Sequence, residues 1–161
     1  MVDTADTDSR RELVDAFMTA SRVLVGVAAR SLAEAPTDLS LAGYRTLVIL
    51  YTQGPRRISE LAEDLNVHSS NASRQCMRLQ AIGAVRKQRA TADRRAVEVA
   101  LTPPGRRIVD AVMAARRVEI ERVVAQIDDD DLGRLVTALR RFAEVAGEPA
   151  EGDWPQPPPA L

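Results

Sequence analysis

Hydrophobic residues recur with a helical period along most of the chain, and the interruptions of this period mark the predicted elements. Apolar positions three or four residues apart over 9–35 predict a long amphipathic helix, which ends before Pro36. Ser40 is a candidate N-cap for a second helix, and Gly54 followed by Pro55 closes that helix. The first third of the chain is therefore predicted to be helical.

A pair of short helices is predicted next. Residues 58–65 favour one short helix, with Ser59 as its cap. After a turn of three residues a further helix begins at Ser69 or Ser70, one of which we expect to cap it, and Gly83 ends it. Two short helices joined by so short a turn are typical of a helix-turn-helix.

The period then changes to that of strands. Residues 84–88 and 96–101 alternate in polarity or carry β-branched side chains, and the polar, basic stretch 89–95 joins them. This pattern predicts a two-stranded hairpin with a basic tip, directly after the helix-turn-helix. The fold class that we predict is mainly α with a small β-hairpin wing.

Helical periodicity returns after the hairpin. Thr102 is predicted to cap a helix of about 25 residues that begins with Pro103 and ends near Ile127. Asp128 is expected to cap a final helix, whose first turn is rich in aspartate, as the helix dipole favours. The segment 147–161 is proline-rich and lacks periodicity, so it is predicted to be disordered or polyproline-like.

The charge is unevenly distributed along the chain. Lys and Arg number 22 and Asp and Glu number 23, a net charge of −1. Residues 54–107 nevertheless hold eleven basic and five acidic side chains, so this block carries +6 and its flanks together carry −7. A basic centre between acidic ends is typical of a nucleic-acid contact surface. Ordinary surface charge is the alternative, and charge alone leaves both open.

Composition excludes several classes of protein. A single cysteine excludes an intramolecular disulfide, and one cysteine with one histidine excludes a zinc cluster of these ligands. No apolar run reaches about 18 residues, and the N-terminus is acidic where a signal peptide is basic. We therefore expect a cytoplasmic protein with no cofactor, no metal and no membrane contact. No base–nucleophile pair is evident, so we do not expect an enzyme.

The helix that begins at Ser69 or Ser70 has the residue types of a DNA-recognition helix. Small polar side chains let a helix approach base edges in the major groove, Asn pairs with adenine, and Arg reaches guanine or a phosphate. The alternatives are helix capping for a serine and a solvated face for the arginines. The predicted major-groove contacts are Ser69, Ser70, Asn71, Ser73 and Arg74.

The basic hairpin tip is a second candidate contact. Arg94 or Arg95 beside Asp93 is placed to enter the minor groove, whose negative potential attracts arginine. Other basic residues of the block are expected to neutralise phosphates, which adds affinity without sequence information. These predicted phosphate contacts are Arg56, Arg57, Arg78, Arg86, Lys87 and Arg89.

Three stretches, 58–62, 67–74 and 93–105, carry a resemblance to a known family. They resemble the MarR family of winged helix-turn-helix transcriptional regulators, and the similarity covers nearly the whole chain. The most specific part is the Asp-x-Arg of the hairpin followed by the Leu-Thr-x-x-Gly step into the long helix. The resemblance implies that Arg95 is the residue inserted into the minor groove, with Asp93 orienting the arginines.

The flanking helices point to a partner. They are apolar over more surface than one small winged domain covers, and one recognition helix with one wing reaches few base pairs. A homodimer on a palindromic double-stranded DNA operator answers both points, and the resemblance implies it; a monomeric helical bundle is the alternative. We divide the chain into dimerisation helices at 9–35 and 103–146, a winged DNA-binding region at 40–101 and the tail at 147–161.

The predicted function is that of a dimeric, sequence-specific DNA-binding regulator, a repressor of its own or a neighbouring gene. The resemblance further implies a small-molecule effector in a pocket walled by the first two helices and the start of the long helix. The alternative is a winged-helix module for protein–protein contact without specific DNA binding, with the tail as a docking peptide.

Overall fold

The structure is a computed structural model that describes residues 4–35, 37–90 and 96–148 together with residues 150, 152 and 154. Within these residues it shows six helices and one antiparallel hairpin, which confirms the predicted fold class. The elements are α1 (Thr4–Ala33), α2 (Leu41–Gln53), α3 (Ile58–Asp64), α4 (Ser69–Ala81), β1 (Val85–Arg89), β2 (Val97–Leu101), α5 (Pro103–Val124) and α6 (Asp129–Val145).

The long helices differ from their predicted bounds. α1 begins earlier than residue 9 and ends at Ala33. α5 ends three residues before Ile127, because the N–H groups of Gln126 and Ile127 donate to carbonyls only three residues back, at 3.1 and 3.0 Å. Such bonds tighten the last turn and stop the helix. Asp128 takes the predicted N-cap position of α6, although its side chain makes no capping hydrogen bond there.

The core lies in the winged region and the first half of α5. Every element from α2 to α5 except β1 contributes one of the most deeply buried side chains, and each stabilises the fold by about 1.5–3 kcal/mol. They include Leu47, Leu61, Leu79, Val99, Val109 and Val112. Cys76 is 2 % exposed and belongs to this core, and its burial raises the pKa of its thiol.

The start of α3 corrects one prediction. Arg57 occupies the N-cap, and its backbone N–H donates to the carboxylate of Glu60 at 2.9 Å. The expectation that Ser59 caps this helix is wrong, because Ser59 already lies in the first turn. The glutamate at the third helical position thus accepts the N–H of the N-cap residue itself, as in one half of a capping box.

The turn between α3 and α4 corrects a second prediction. Asn66 adopts the left-handed conformation at φ 52°, which asparagine tolerates better than most residues. The next helix then starts from His68, whose carbonyl accepts the N–H of Asn71 at 2.8 Å. The expected serine cap is wrong, because Ser69 and Ser70 are the first two helical residues and their hydroxyls are not used as the N-cap.

The wing is anchored to the helix-turn-helix at its base. β1 and β2 pair antiparallel, with Val85 opposite Leu101. Arg56, just before α3, forms a further bridge to β2, donating its N–H to the Val99 carbonyl at 3.0 Å and accepting the Val99 N–H at 2.8 Å. Of the predicted wing tip, 89–95, Arg89 lies in β1, and residues 91–95 lie outside the described residues.

The step from the wing into α5 requires a glycine. Thr102 caps α5 as predicted, accepting the N–H of Gly105 at 3.1 Å, and its own hydroxyl donates to the Gly83 carbonyl at 2.6 Å. A Cβ on Gly105 would fall 2.0 Å from the carbonyl oxygen of Ala84. Any larger residue would push α5 away from the hairpin.

The terminal helices bury little within one chain. None of the described residues of α6 is buried, and Phe142 is 52 % exposed, although its ring stacks on that of Phe17 in α1 with centroids 4.3 Å apart. Despite these apolar faces, no helix in the described part of the chain is long and apolar enough to cross a membrane.

Candidate nucleic-acid interface

α4 has one buried face and one exposed polar face. Ala72, Cys76 and Leu79 are buried at helical spacing and hold the helix on the core. The opposite side carries the residues predicted to enter the major groove, of which Ser73 is half-buried and the others are exposed. The exposed members are Ser69, Ser70, Asn71 and Arg74. A helix presented in this way has its N-terminal half free to approach base edges.

Asn71 and Arg74 form a pair on this exposed face. A guanidinium N–H of Arg74 donates to the side-chain oxygen of Asn71, one turn earlier. The contact uses one of the five guanidinium donors. Both side chains that carry hydrogen-bonding specificity for bases therefore lie side by side on one turn of α4.

The two arginines before α3 are placed differently. Arg57 is exposed at the helix start. Arg56 is half-buried, donates to the side chain of Gln53, and has its Nε 4.0 Å from a carboxylate oxygen of Asp64. Arg57 is the better placed of the two for a phosphate, since the guanidinium of Arg56 is tied to its own chain.

The remaining predicted phosphate contacts lie at the end of α4 and on the wing. Arg78 is in the last turn of α4, and Arg86, Lys87 and Arg89 are on β1; all four are exposed. The charge of Lys87 acts on the Cys76 thiol and lowers its pKa, though less than burial raises it. β1 also contacts α4, so these charges lie next to that helix.

A cavity of about 890 Å³ opens behind α4. Its walls come from α1 and α2, where the pocket is predicted, and from the middle of α5 rather than its start. The turn between α3 and α4, α4 itself and the chain beyond α6 also contribute. The lining residues outside the predicted walls are Leu65, Val67, Asn71, Ala72, Gln75, Glu148 and Trp154. Most of its lining is apolar, and two arginines, Arg45 and Arg116, also line it.

The arginines of the cavity are held by their neighbours. Arg116 lies over the ring of Tyr44, 5.1 Å from its centroid, and its Nε donates to the Ser31 hydroxyl at 3.5 Å. Arg45 donates through both terminal nitrogens to the carboxylate of Glu148, at 3.2 and 3.0 Å. The cavity therefore combines apolar walls with two oriented cations.

Comparison with known proteins decides the family. The MarR family model matches residues 39–97, the region from the start of α2 into β2 that holds the recognition helix. The crystal structure of RV1404 from Mycobacterium tuberculosis is 37 % identical and superimposes with a TM-score of 0.82, over 89 % of this chain and 97 % of that one. The chain belongs to the MarR family.

Two further relatives are more distant. The structure of a MarR family protein from Bacillus stearothermophilus shares the fold, with a TM-score of 0.75 at 18 % identity over 92 % of this chain and 100 % of that one. The Bacillus subtilis (strain 168) protein YkoM, named an uncharacterized HTH-type transcriptional regulator, is 24 % identical over 98 residues. That match covers 61 % of this chain and 64 % of YkoM, less than two thirds of its length.

The MarR-like wing motif is not tested by the structure. Asp93, Arg94 and Arg95 lie outside the described residues, so their minor-groove contact stays a prediction. The cavity residues contributed by α4 had a signal in the sequence, since Ala72 and Gln75 are three positions apart on one helix face. The contribution of Trp154 had none, because no local pattern links it to α2.

Proposed function

We propose that the protein is a homodimeric, sequence-specific DNA-binding repressor of its own or a neighbouring gene, released by a small-molecule effector. The observation that carries the proposal is the exposed Asn71–Arg74 pair on a helix whose other face is locked into the core. Asn and Arg are the side chains that pair bidentately with adenine and guanine, each contact giving about 1–3 kcal/mol of discrimination.

Phosphate contacts add affinity to this readout. The exposed guanidinium of Arg57 and the exposed charges of β1 lie on either side of α4 in sequence and on the same winged unit. Arg95 at the wing tip extends the contact to the minor groove. Each neutralised phosphate is expected to contribute about 0.9 to the logarithmic salt dependence of binding.

A second copy of the chain is the partner that we propose for the terminal helices. Leu135, Val136, Leu139 and Phe142 are all at least one third exposed along α6, and α1 carries a similar face around Leu13. Two copies related by a twofold axis would bury these faces and place two recognition helices about 34 Å apart, one turn of DNA.

The effector that fits the cavity behind α4 is an apolar molecule with an acidic group. Apolar walls with a few placed polar groups are typical of ligand sites, and Arg45 and Arg116 supply the complement to an anion. Because Asn71, Ala72 and Gln75 of α4 form part of the wall, an occupant alters the position of the recognition helix. Couplings of this kind amount to about 1–3 kcal/mol.

The test is selection of bound fragments from a random pool of DNA duplexes, at two salt concentrations. We expect a palindrome whose half-sites lie about one helical turn apart, recovered at both salts. Arg74→Ala should lose the palindrome, while Arg141→Ala on the exposed face of α6 should keep it. Weak, sequence-blind binding that disappears at the higher salt would overturn the proposal and favour the protein-contact module.

A further inference from the structure

The chain turns back on itself directly after α6. Gly147 adopts the left-handed conformation at φ 73°, its N–H donates to the Glu144 carbonyl at 3.1 Å, and the N–H of Glu148 donates to the Ala143 carbonyl at 3.0 Å. This pair of bonds is a Schellman motif, which reverses the chain. The reversal brings the carboxylate of Glu148 onto Arg45 of α2.

Trp154 continues this contact. Its indole is half-buried against the core beside the ring of Tyr51, with centroids 6.0 Å apart. Tyr51 is itself buried, and the guanidinium of Arg106, on α5, lies 4.6 Å from the centroid of the Tyr51 ring. The indole Nε1 of Trp154 is buried without an acceptor among the described residues. A buried donor of this kind is costly unless something else accepts its hydrogen bond.

Glu148 and Trp154 both line the cavity behind α4. Among the described side chains that line it, the charged ones are Arg45, Arg116 and Glu148, so the carboxylate of Glu148 neutralises one of two cations. Both carboxylate oxygens of Glu148 accept hydrogen bonds from the two terminal nitrogens of Arg45, an arrangement that arginine can form with any carboxylate. The chain thus places its own anion where the acidic group of an effector would bind.

We propose that Glu148 and Trp154 form a C-terminal latch that closes the effector cavity, with the Glu148 carboxylate competing against an acidic ligand for Arg45. The inference rests on the proposed function in that it describes how the effector of the repressor enters. A ligand carboxylate takes over the Arg45 fork, Glu148 moves into water, and Trp154 leaves the wall. The Arg45–Glu148 pair is half exposed, so the latch is weak and opens readily.

The first experiment tests the latch without ligand or DNA. Trp154 is the single tryptophan of the chain, so acrylamide quenching of its fluorescence reports how far it is exposed. We expect Glu148→Gln and Arg45→Gln each to raise the quenching constant about two- to fivefold, the range that an exposed ion pair supports. The matched control is Glu144→Gln, which breaks the exposed Arg141–Glu144 pair (2.7 Å) on α6 outside the cavity lining.

The second experiment tests the competition, with cyclohexanecarboxylate as the probe and its neutral carboxamide for comparison. By calorimetry, Glu148→Gln should lower the Kd for the carboxylate about two- to fivefold, and Arg45→Gln should raise it, although both variants open the latch. In both variants the Kd for the neutral carboxamide should change by a smaller factor than the Kd for the carboxylate. Bound carboxylate should also raise the quenching of Trp154 in the unaltered protein.

The outcomes separate the latch from the proposed function. Quenching that is the same in Glu148→Gln and Glu144→Gln overturns the latch, and so does the absence of saturable carboxylate binding or an equal Kd in Glu148→Gln and the unaltered protein. Operator binding is measured on the same proteins by the duplex selection. If no operator is recovered, the repressor proposal fails, while the quenching and calorimetry still decide whether the latch exists.

Discussion

The winged region and the terminal helices use similar apolar residues in opposite ways. In α2 an unbroken run from Thr46 to Tyr51 is buried inside one chain. In α6, which is equally helical and clearly amphipathic, none of the described residues is buried. α1 is intermediate, since Val27 is buried near its C-terminal end while Leu13 and Leu24 are exposed.

The two regions therefore differ in where their apolar residues are covered: within one chain in the winged region, and in the proposed dimer for the terminal helices. The winged region encloses its own core, so its geometry is determined within one chain. The terminal helices keep an apolar stripe that one chain leaves in water, and contiguous apolar stripes on helices mark interaction surfaces. Changes in the first region should therefore act on the fold of one chain, and changes in the second on assembly.

The largest effect is expected in the winged core. Leu47→Ala removes a side chain that is 0 % exposed and should lower the free energy of unfolding by about 2–5 kcal/mol. Urea unfolding followed by circular dichroism measures the loss. The exposed Gln80→Ala on α4 should change it by less than about 0.5 kcal/mol, and equal losses in both variants would contradict the assignment of the core.

A charge on α6 should act on assembly instead. Leu139→Asp with Phe142→Asp should raise the dimer dissociation constant about thirtyfold or more, because apolar anchors at an interface centre contribute about 2 kcal/mol or more. Sedimentation over a range of concentrations gives this constant. Val97→Asp on the wing, also an exposed apolar position, is the control and should leave the dimer intact. A monomeric unaltered protein would refute the proposed dimer.

Within the winged region, substitutions of exposed arginines should change DNA binding without changing the stability of the fold. Arg74→Ala should weaken operator binding by about 1–3 kcal/mol and relax the preference at one base. Arg57→Ala should weaken binding to all sequences alike and lower the salt slope by about 0.9. Fluorescence anisotropy at several salt concentrations measures both, with Arg141→Ala as the distant arginine control. Unchanged unfolding curves are expected for all three, because each side chain is exposed.

The smallest effect concerns the tie between α1 and α5. The hydrogen bond from Arg30 (2.8 Å) and the charges of Arg30 and Arg122 hold the pKa of Glu119 below its ordinary value of 4.5. The stability gained is therefore present above pH 4.5 and is lost as the pH falls through the lower, folded-state pKa. In a plot of Tm against pH, Glu119→Gln should reduce the fall of Tm at acid pH, whereas Glu144→Gln should leave that fall unchanged. The same curve shape in both variants would disprove the stabilising contact between Arg30 and Glu119.

Periodicity predicted the elements because burial of one helix face repeats every three to four residues. Ala72, Cys76 and Leu79 illustrate this, and their spacing alone implies that Asn71 and Arg74 face outward. Caps were less predictable. The Thr102 cap is predictable because a proline follows it. At α3 the helix starts two residues earlier than a Ser59 cap would place it, with Glu60 accepting the N–H of Arg57, and the pattern is compatible with either start.

Contacts between distant parts of the chain could not be predicted. Arg45 and Glu148 are 103 positions apart, and their meeting depends on where α6 ends and on the reversal at Gly147. The cavity behind α4 is likewise a product of packing, since its walls come from five separated stretches of chain. No local pattern of residue types encodes such a meeting.

The two main-chain bonds between Arg56 and Val99 have a mechanical consequence. They join the base of the wing to the segment before α3, so in the proposed complex the wing and the helix-turn-helix are linked into one DNA-facing unit at the start of α5. α5 is 22 residues long, which makes a lever of about 33 Å. A rotation of about 5° at its far end displaces the DNA-facing unit by about 3 Å, as far as a hydrogen bond is long. In the proposed dimer, the angle between the two α5 helices therefore determines whether the spacing of the two DNA-facing units matches one turn of DNA.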